Sequence, residues 1–406
     1  MIENLVWRVR NALRTAVDST RLGEAAHAYC RRLQQEDGYR RIRERYAQQC
    51  PPANSRLRRF DGTKTVGSIH TFAIIPAWSW HDELMPGLEM LGPVTRYDYA
   101  RSFPDGNANV KDIVAWRRRM NGELLEAFRE AHHTRRVDWV LAYVQGLHVM
   151  ADTIRHIESS GVPTVNLSLD DKNSWDCGDV GGQNAGSLGL VEAFDLWWTS
   201  ASVSTSWVEA EGGRAIYLPE GCNVEDGVGE VDSMDLGVTF IGTAYGHRLE
   251  MVRYLARHGI IVRPFGKGWG RVPTRAEVRS IVRRSAICLG HGGIGYSSQI
   301  TNVKGRDFEL PALRGGAYVT TYNADLARHF DVGREILCWH SLDELLEITR
   351  FLLRTPSAGR RLAALAYERC RREHRWSQRY LSVLEALGFR VDEPCPKVRL
   401  VGEMNP

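Results

Sequence analysis

No apolar run in the 406 residues approaches the ~20 residues that a membrane-spanning helix needs. The opening MIENLVWRVR sets charge inside its apolar stretch, unlike a signal peptide, so a cytoplasmic location is the expectation. Cysteine is scattered: Cys30, Cys50, Cys177, Cys222, Cys288, Cys338, Cys370 and Cys395 include no C-x-x-C pair. That spacing excludes a clustered zinc site, and a disulfide framework belongs to shorter secreted chains, so reduced core thiols are expected. No short repeat or low-complexity tract interrupts the chain, and no D-x-D metal spacing occurs. Lysine is missing from residues 1–60, where 13 arginines and 6 acidic residues give a charge of +7. The whole chain carries +4, which leaves −3 for the rest. Such an arm is either a solvated helical face or a contact for an anionic surface; no specific nucleic-acid partner is expected.

The length suits two domains, each able to bury its own core. Apolar spacing at Leu5, Val9, Leu13 and Val17 predicts a helical, basic extension over 1–60. From Gly67 short β-rich runs alternate with helical stretches: GSIHTFAII, VTRYDYA, DWVLAYV, TVNLSLDD, FDLWWTSA and AIYLPEG read as strands. The polar tract from Cys222 to Asp235 reads as a linker, after which VTFIG, IIVRPFG, AICLG, AYVTT and EILCW restart the alternation. Capping boxes are predicted at Thr274–Glu277 and Ser341–Glu344. Alternating β and α implies parallel, doubly wound sheets, with ligands bound in a cleft beyond the strands' carboxyl ends. The expected division is 61–225 for an acceptor domain and 236–375 for a donor domain. Residues 376–406 form a closing helix and tail.

The most specific signal is GHGGIGYSSQITNVKGRDFELPALRGGAYVTTYNADL, followed by EILCWHSLDELLEITRFLL. Its Lys304, Gly305, Arg306, Asp307, Phe308, Glu309 and Pro311 resemble the K-G-R-D-F-E-x-P pattern of the spore-maturation-type glycosyltransferases. That family lies within the larger group that includes glycosyltransferase family 4. FIGTAYGHRLEMVRYLARHGI is similar to the family's first C-terminal βα unit. The resemblance covers 236–380 well and 138–225 loosely. Leu313 and Arg314 intervene before Gly315 and Gly316, where relatives turn at a tighter spacing. The resemblance implies an α/β protein of GT-B fold, with two Rossmann-like domains facing a cleft and the last helices crossing back to the first domain. It implies a hexosyltransferase-like enzyme with a nucleotide-diphosphate sugar as donor substrate and no separate cofactor. It also implies that Glu309 binds the donor's ribose or sugar.

The chemistry fits independently of that name. Negative charge grows on a nucleotide diphosphate as the glycosidic bond breaks, and a metal-free site must offset it with Arg, Lys and helix N-termini. Gly242 ends a strand just before a helix carrying Arg248. Arg248, Lys267, Lys304 and Arg306 are candidate phosphate contacts. Gly290 to Gly295 satisfies G-x-G-x-x-G, but the next strand ends in Thr rather than an acid, against a dinucleotide fingerprint. Gly293, Gly295 and Tyr296 are instead read as a donor-side loop. For a sugar, glycan or small-molecule acceptor, Trp78 and Trp80 either stack on the acceptor or pack the rim. His81 and His148 are candidate bases. Asp170 and Asp171, ending TVNLSLDD, are read as catalytic or acceptor-orienting acids, with helix capping the plainer alternative. The Gly-, Asn- and Ser-rich tract Lys172–Gly189 is a candidate mobile flap. Rival readings are a nucleotide-sugar epimerase or hydrolase on the same scaffold, a non-catalytic envelope or coat protein, and, behind both, an NAD-dependent oxidoreductase.

Overall fold

The computed structural model describes residues 21–47, 60–76, 81–102, 113–229, 233–297 and 299–392. Helix α1 (Arg21–Tyr46) precedes a short strand β1 (Thr63–Lys64) and the first domain. That domain runs β2 (Thr71–Ile74), α2 (His81–Leu91), β3 (Val94–Tyr97), α3 (Ile113–Thr134), β4 (Trp139–Ala142), α4 (Ala151–Glu158), β5 (Thr164–Ser168), β6 (Leu196–Thr199), α5 (Ser204–Ala210) and β7 (Ala215–Tyr217). Its sheet is wholly parallel, in the order β3-β2-β4-β5-β6-β7. Every residue of β2, β4, β5 and β6 is buried, because helices cover both faces. Alternate side chains feed separate cores: Phe72, Ile74, Val140 and Ala142 enter one, and Ala73, Trp139, Leu141 and Val165 the other.

The second domain repeats the scheme with β8 (Gly237–Ile241), α6 (His247–Arg257), β9 (Val262–Phe265), α7 (Arg275–Arg283), β10 (Ser285–Leu289), β11 (Ala317–Thr321), β12 (Leu337–Trp339), α8 (Leu342–Arg354) and α9 (Pro356–Glu373). Its parallel order is β12-β11-β10-β8-β9. The order reverses between β8 and β10, so the loops after those strands splay apart and form the crevice. The Thr274 box is complete: Thr274 Oγ1 accepts from Glu277 N and the Glu277 carboxylate accepts from Thr274 N. The second box closes only halfway. Ser341 Oγ accepts from Glu344 N, but the Glu344 carboxylate turns to His340 N at 2.7 Å.

Helix α10 (Trp376–Leu387) and strand β13 (Arg390–Val391) return to the first domain. Trp376, Tyr380, Leu384 and Leu387 share a core with Leu84, Leu88 and Leu91 of α2. Gly87 allows the close approach, since a Cβ there would lie 2.8 Å from Trp376 Cβ. β13 pairs in parallel with β1. The chain crosses between domains at Cys222 and at His374–Trp376, and the two crossings bond each other, Cys222 N to His374 O (2.8 Å) and Trp376 N to Cys222 O (3.2 Å). Fully buried Arg379 donates to Glu373 O (3.0 Å) and His374 Nδ1 (2.8 Å), fixing this hinge. Of the six described cysteines, Cys222, Cys288, Cys338 and Cys370 are buried, while Cys30 and Cys177 are exposed. Several arginines of α1 are matched locally: Arg40 pairs with Asp37 and Glu44, Arg41 with Asp37, and Arg45 with Glu211. Leu5, Val9, Leu13, Val17, Cys50 and Cys395 lie outside the described residues.

Candidate active site

The crevice of the second domain begins at Gly242, at the carboxyl end of β8. A Cβ on Gly242 would lie 2.5 Å from Arg306 Nη1, so only glycine lets that guanidinium lie against the backbone. Gly242 N also donates to Phe265 O (2.8 Å), locking the loop to β9. Two residues into α6, Arg248 folds back to donate to Thr243 O (3.2 Å) and lies 4.2 Å from the Tyr245 ring centroid. Arg248 and Arg306 also share Phe240, at 5.9 and 5.7 Å from its ring. Among the described residues no carboxylate pairs with either. Arg248 Nε and Arg306 Nη1 are buried without a hydrogen-bond partner. Burial and the neighbouring Arg306 charge lower Arg248 to about 10. Behind them His291 stacks parallel to His247 (6.4 Å, 4°). Burial and the charges of Arg248, His247 and Arg306 lower His291 to about 3, and its Nδ1 accepts from Gly293 N (3.0 Å).

The turn Arg306–Glu309 sorts its side chains by helical spacing. Arg306 and Glu309, three apart, share the cleft side, while Asp307 and Phe308 enter the core. Asp307 accepts from Tyr318 OH (2.5 Å) and Lys304 N (2.8 Å), so this acid shapes the turn. The extra residues before Gly315 are absorbed by Arg314, which takes a left-handed conformation (φ 49°). Gly315 and Gly316 then pack where a Cβ would strike Val282 O at 2.1 Å and Ser285 O at 2.6 Å. Glu309 is partly buried, and desolvation together with the Glu83 carboxylate pushes its pKa up. Glu83 is raised as well, chiefly by burial; Arg275 (3.4 Å) and Asn223 Nδ2 (3.2 Å) hold it.

Across the cleft, Asp170 follows β5 and receives Lys304 Nζ at 3.2 Å, an ion pair between the two domains. Asn302 Nδ2 donates to Leu169 O (2.6 Å), Lys172 Nζ to Thr301 O (2.9 Å), and Ser202 Oγ to Asp325 Oδ1 (2.5 Å). Tyr99, Tyr143, Gln145, His148, Ser168 and Asp170 line a cavity of about 140 Å³ at the ends of β4 and β5. The His148 ring lies 5.1 Å from Tyr99, and burial lowers it to about 4.

Arg248, Arg306, Gly242 and Glu309 thus converge on one crevice. Lys304 faces the same cleft but meets Asp170, and Lys267 is exposed, its carbonyl accepting from Ala244 N (2.8 Å). Three expectations need correction. Asp171 cannot orient an acceptor: it is fully buried and accepts from Ser168 Oγ (2.5 Å), Thr199 Oγ1 (2.6 Å), Ser187 Oγ (2.8 Å) and Trp197 Nε1 (3.3 Å). Gly295 and Tyr296 are turned toward α1, where Tyr296 N donates to Gln35 Oε1 (3.0 Å). The tract Lys172–Gly189 is packed down, with Gly146 N bonded to Gly186 O, Leu147 N to Ala185 O, and Gln183 Nε2 to Gly146 O and Val149 O. Trp78, Trp80 and the His81 side chain lie outside the described residues. Glu83, Gln35 and buried Glu220 were missed. An acid in a helix's first turn reads as dipole-stabilised, and nothing local marks it as facing a residue 226 positions away.

Residues 248–385 match the family described as glycosyl transferase-like. No curated protein matches the chain. Sucrose-phosphate synthase from Thermosynechococcus elongatus superposes with a TM-score of 0.51 at 10% identity, covering 79% of this chain and 100% of that one. An Anabaena protein solved with UDP and glucose gives 0.48 at 9% identity, over 79% of this chain and 100% of its own. A Listeria monocytogenes protein described as a UDP-N-acetylglucosamine 2-epimerase gives 0.48 at 10% identity, over 82% and 100%. The protein has the GT-B fold: two Rossmann-like α/β domains facing a cleft. Within it, the second half holds a glycosyl transferase-like domain.

Proposed function

We propose that this protein is a glycosyltransferase that moves a sugar from a nucleotide-diphosphate sugar to an acceptor hydroxyl, without a divalent cation. One observation carries the reading. Arg248 and Arg306 are brought together at the end of β8 and, among the described residues, neither forms an ion pair with a carboxylate, inside a glycosyl transferase-like domain. Desolvating two like charges is unfavourable unless an anion meets them, and a diphosphate supplies the matching charge and geometry. Glu309, on the same side of the turn, is suited to the donor's ribose or sugar hydroxyls. The match of Lys304 to Pro311 supports the finer placing among spore-maturation-type enzymes.

In the reaction, the acceptor oxygen bonds to the anomeric carbon and the bond from that carbon to phosphate oxygen breaks. The nucleoside diphosphate leaves with the electron pair, stabilised by the two guanidinium groups. The hydroxyl proton passes to a base on the first domain, for which Asp170 and neutral His148 flank the cavity beside Tyr99. A sugar, glycan or small molecule is the acceptor. The test is a thermal-shift screen against nucleoside diphosphates and their sugars, followed by a transfer assay with and without chelator. Selective stabilisation by one diphosphate, and transfer that survives chelation, are expected. No stabilisation by any diphosphate removes the reading; transfer restored only by manganese or magnesium removes its metal-free part.

A further inference from the structure

Helix α1 stands outside the two-domain frame yet touches both halves. Its end is fixed to the first domain. The Tyr46 ring stacks on Trp207 (6.0 Å, 21°), Trp175 Nε1 donates to Tyr46 OH (3.0 Å), and Arg45 pairs with Glu211 (2.7 Å). Three turns earlier the Gln35 amide bridges the domains. Its Oε1 accepts from Tyr296 N (3.0 Å) in the loop after β10, and its Nε2 donates to Asn173 Oδ1 (2.8 Å). Next to it Glu36 Oε1 accepts from Ser297 Oγ (2.7 Å), and that hydroxyl in turn accepts from Ile300 N (3.2 Å).

Each end of this bridge leads to a group of the proposed site. Gly295 is left-handed (φ 56°), and a Cβ there would lie 2.2 Å from Gln35 Nε2, so the amide packs directly against the backbone of this loop. Gly295 O in turn abuts Gly246, where a Cβ would lie 2.8 Å away, and Gly246 opens the helix that carries Arg248. On the other side Asn173 N donates to Asp170 O (2.9 Å), in the turn whose Asp170 side chain receives Lys304. One side-chain amide therefore links the Arg248 loop to the Asp170 turn, beside the direct Asn302–Leu169 and Lys304–Asp170 bonds between the domains.

We propose that Gln35 is a positioning residue for the transfer reaction, holding the loop after β10, and through it the start of the Arg248 helix, in register with the acceptor-side acid. The inference rests on the functional reading above. Amide chemistry gives it a specific signature. Gln35→Glu still accepts from Tyr296 N, and Asn173 can turn its amide to donate to the new carboxylate. Asn173→Asp still accepts from Gln35. The double variant sets two carboxylates face to face, so the contact between positions 35 and 173 has no donor and repels.

The test measures inorganic pyrophosphate affinity and amide exchange at residues 294–300, in the full chain and in Gln35→Met, Gln35→Glu, Asn173→Asp and the double variant. Expected are a roughly tenfold loss of affinity and at least tenfold faster Tyr296 exchange in Gln35→Met and in the double variant, with both single polar variants near the parent. Parental affinity and exchange in Gln35→Met, or a double variant equal to its singles, overturns the proposal. Should the parent chain bind no pyrophosphate, the functional reading falls instead, and unchanged Tyr296 exchange in Gln35→Met still refutes the register role.

Discussion

Replacing Arg306 by Met separates ligand binding from folding. The substitution keeps an unbranched apolar stem and removes the guanidinium that lies over Phe240; among the described residues that group forms no ion pair with a carboxylate, and its Nη1 has no hydrogen-bond partner. Without ligand, little is therefore lost. One of two like charges leaves a shared desolvated pocket, and Arg248, now lowered to about 10, relaxes upward. With a nucleoside diphosphate the opposite holds. A charge-assisted hydrogen bond to phosphate contributes ~1.5–3 kcal/mol, which predicts roughly 10- to 150-fold weaker binding. At a ligand concentration 100 times the parent's Kd, binding stabilises the parent by about 2.7 kcal/mol; a variant bound 100-fold more weakly gains only about 0.4. Calorimetric titration gives the two affinities, and unfolding of parent and variant, each with and without nucleotide, gives the four stabilities. A variant that binds as tightly as the parent refutes the donor assignment. One that loses several kcal/mol of ligand-free stability shows Arg306 to be structural.

Asp171→Ala removes the shared acceptor of three hydroxyls and an indole N–H in the core and should cost ~3–5 kcal/mol in denaturant unfolding. Near-parental stability would return Asp171 to the list of cleft acids. Glu220 is fully buried, its Oε2 has no partner, and burial raises its pKa well above 4.5. The folded state therefore holds a proton that the unfolded chain releases, and stability falls as pH rises above about 4.5, by up to ~1.4 kcal/mol per pH unit until the folded pKa is reached. Glu220→Gln should remove that slope and be the more stable protein at pH 8; an unchanged slope refutes it. Asp170→Asn should spare nucleotide affinity while lowering transfer at least tenfold, and full turnover would clear Asp170 of any part in the chemistry.

The strand pattern was open to reading because buried parallel strands carry dense apolar and β-branched residues. VTFIG, AICLG and AYVTT each appear within a residue of the observed β8, β10 and β11. The donor side was legible where residues are close in sequence, as in Lys304 to Glu309. It was not legible where folding joins distant segments: Arg248 meets Arg306 only through the switch between β8 and β10, and Glu83 meets Glu309 only across the cleft. Asp171 misled because two adjacent acids at a strand end look alike in sequence, yet one faces Lys304 and the other turns into a nest of hydroxyls. Glycine content misled too. The 172–189 tract suggested mobility, but Gly186 and Gly189 are packed where a Cβ would meet Ser174 O at 2.4 Å and Asn184 O at 2.1 Å, while Gly178 and Gly182 take the positive φ of turns.

The central claim is that the crevice between β8 and β10 holds the diphosphate of the donor. The most direct measurement is a crystal structure of the full chain with whichever nucleoside diphosphate stabilises it most. Both phosphates should lie within hydrogen-bond reach of the Arg248 and Arg306 guanidinium groups, with the ribose hydroxyls at Glu309. A nucleotide bound elsewhere, such as in the cavity beside Tyr99 and His148, with Arg306 untouched, would contradict it.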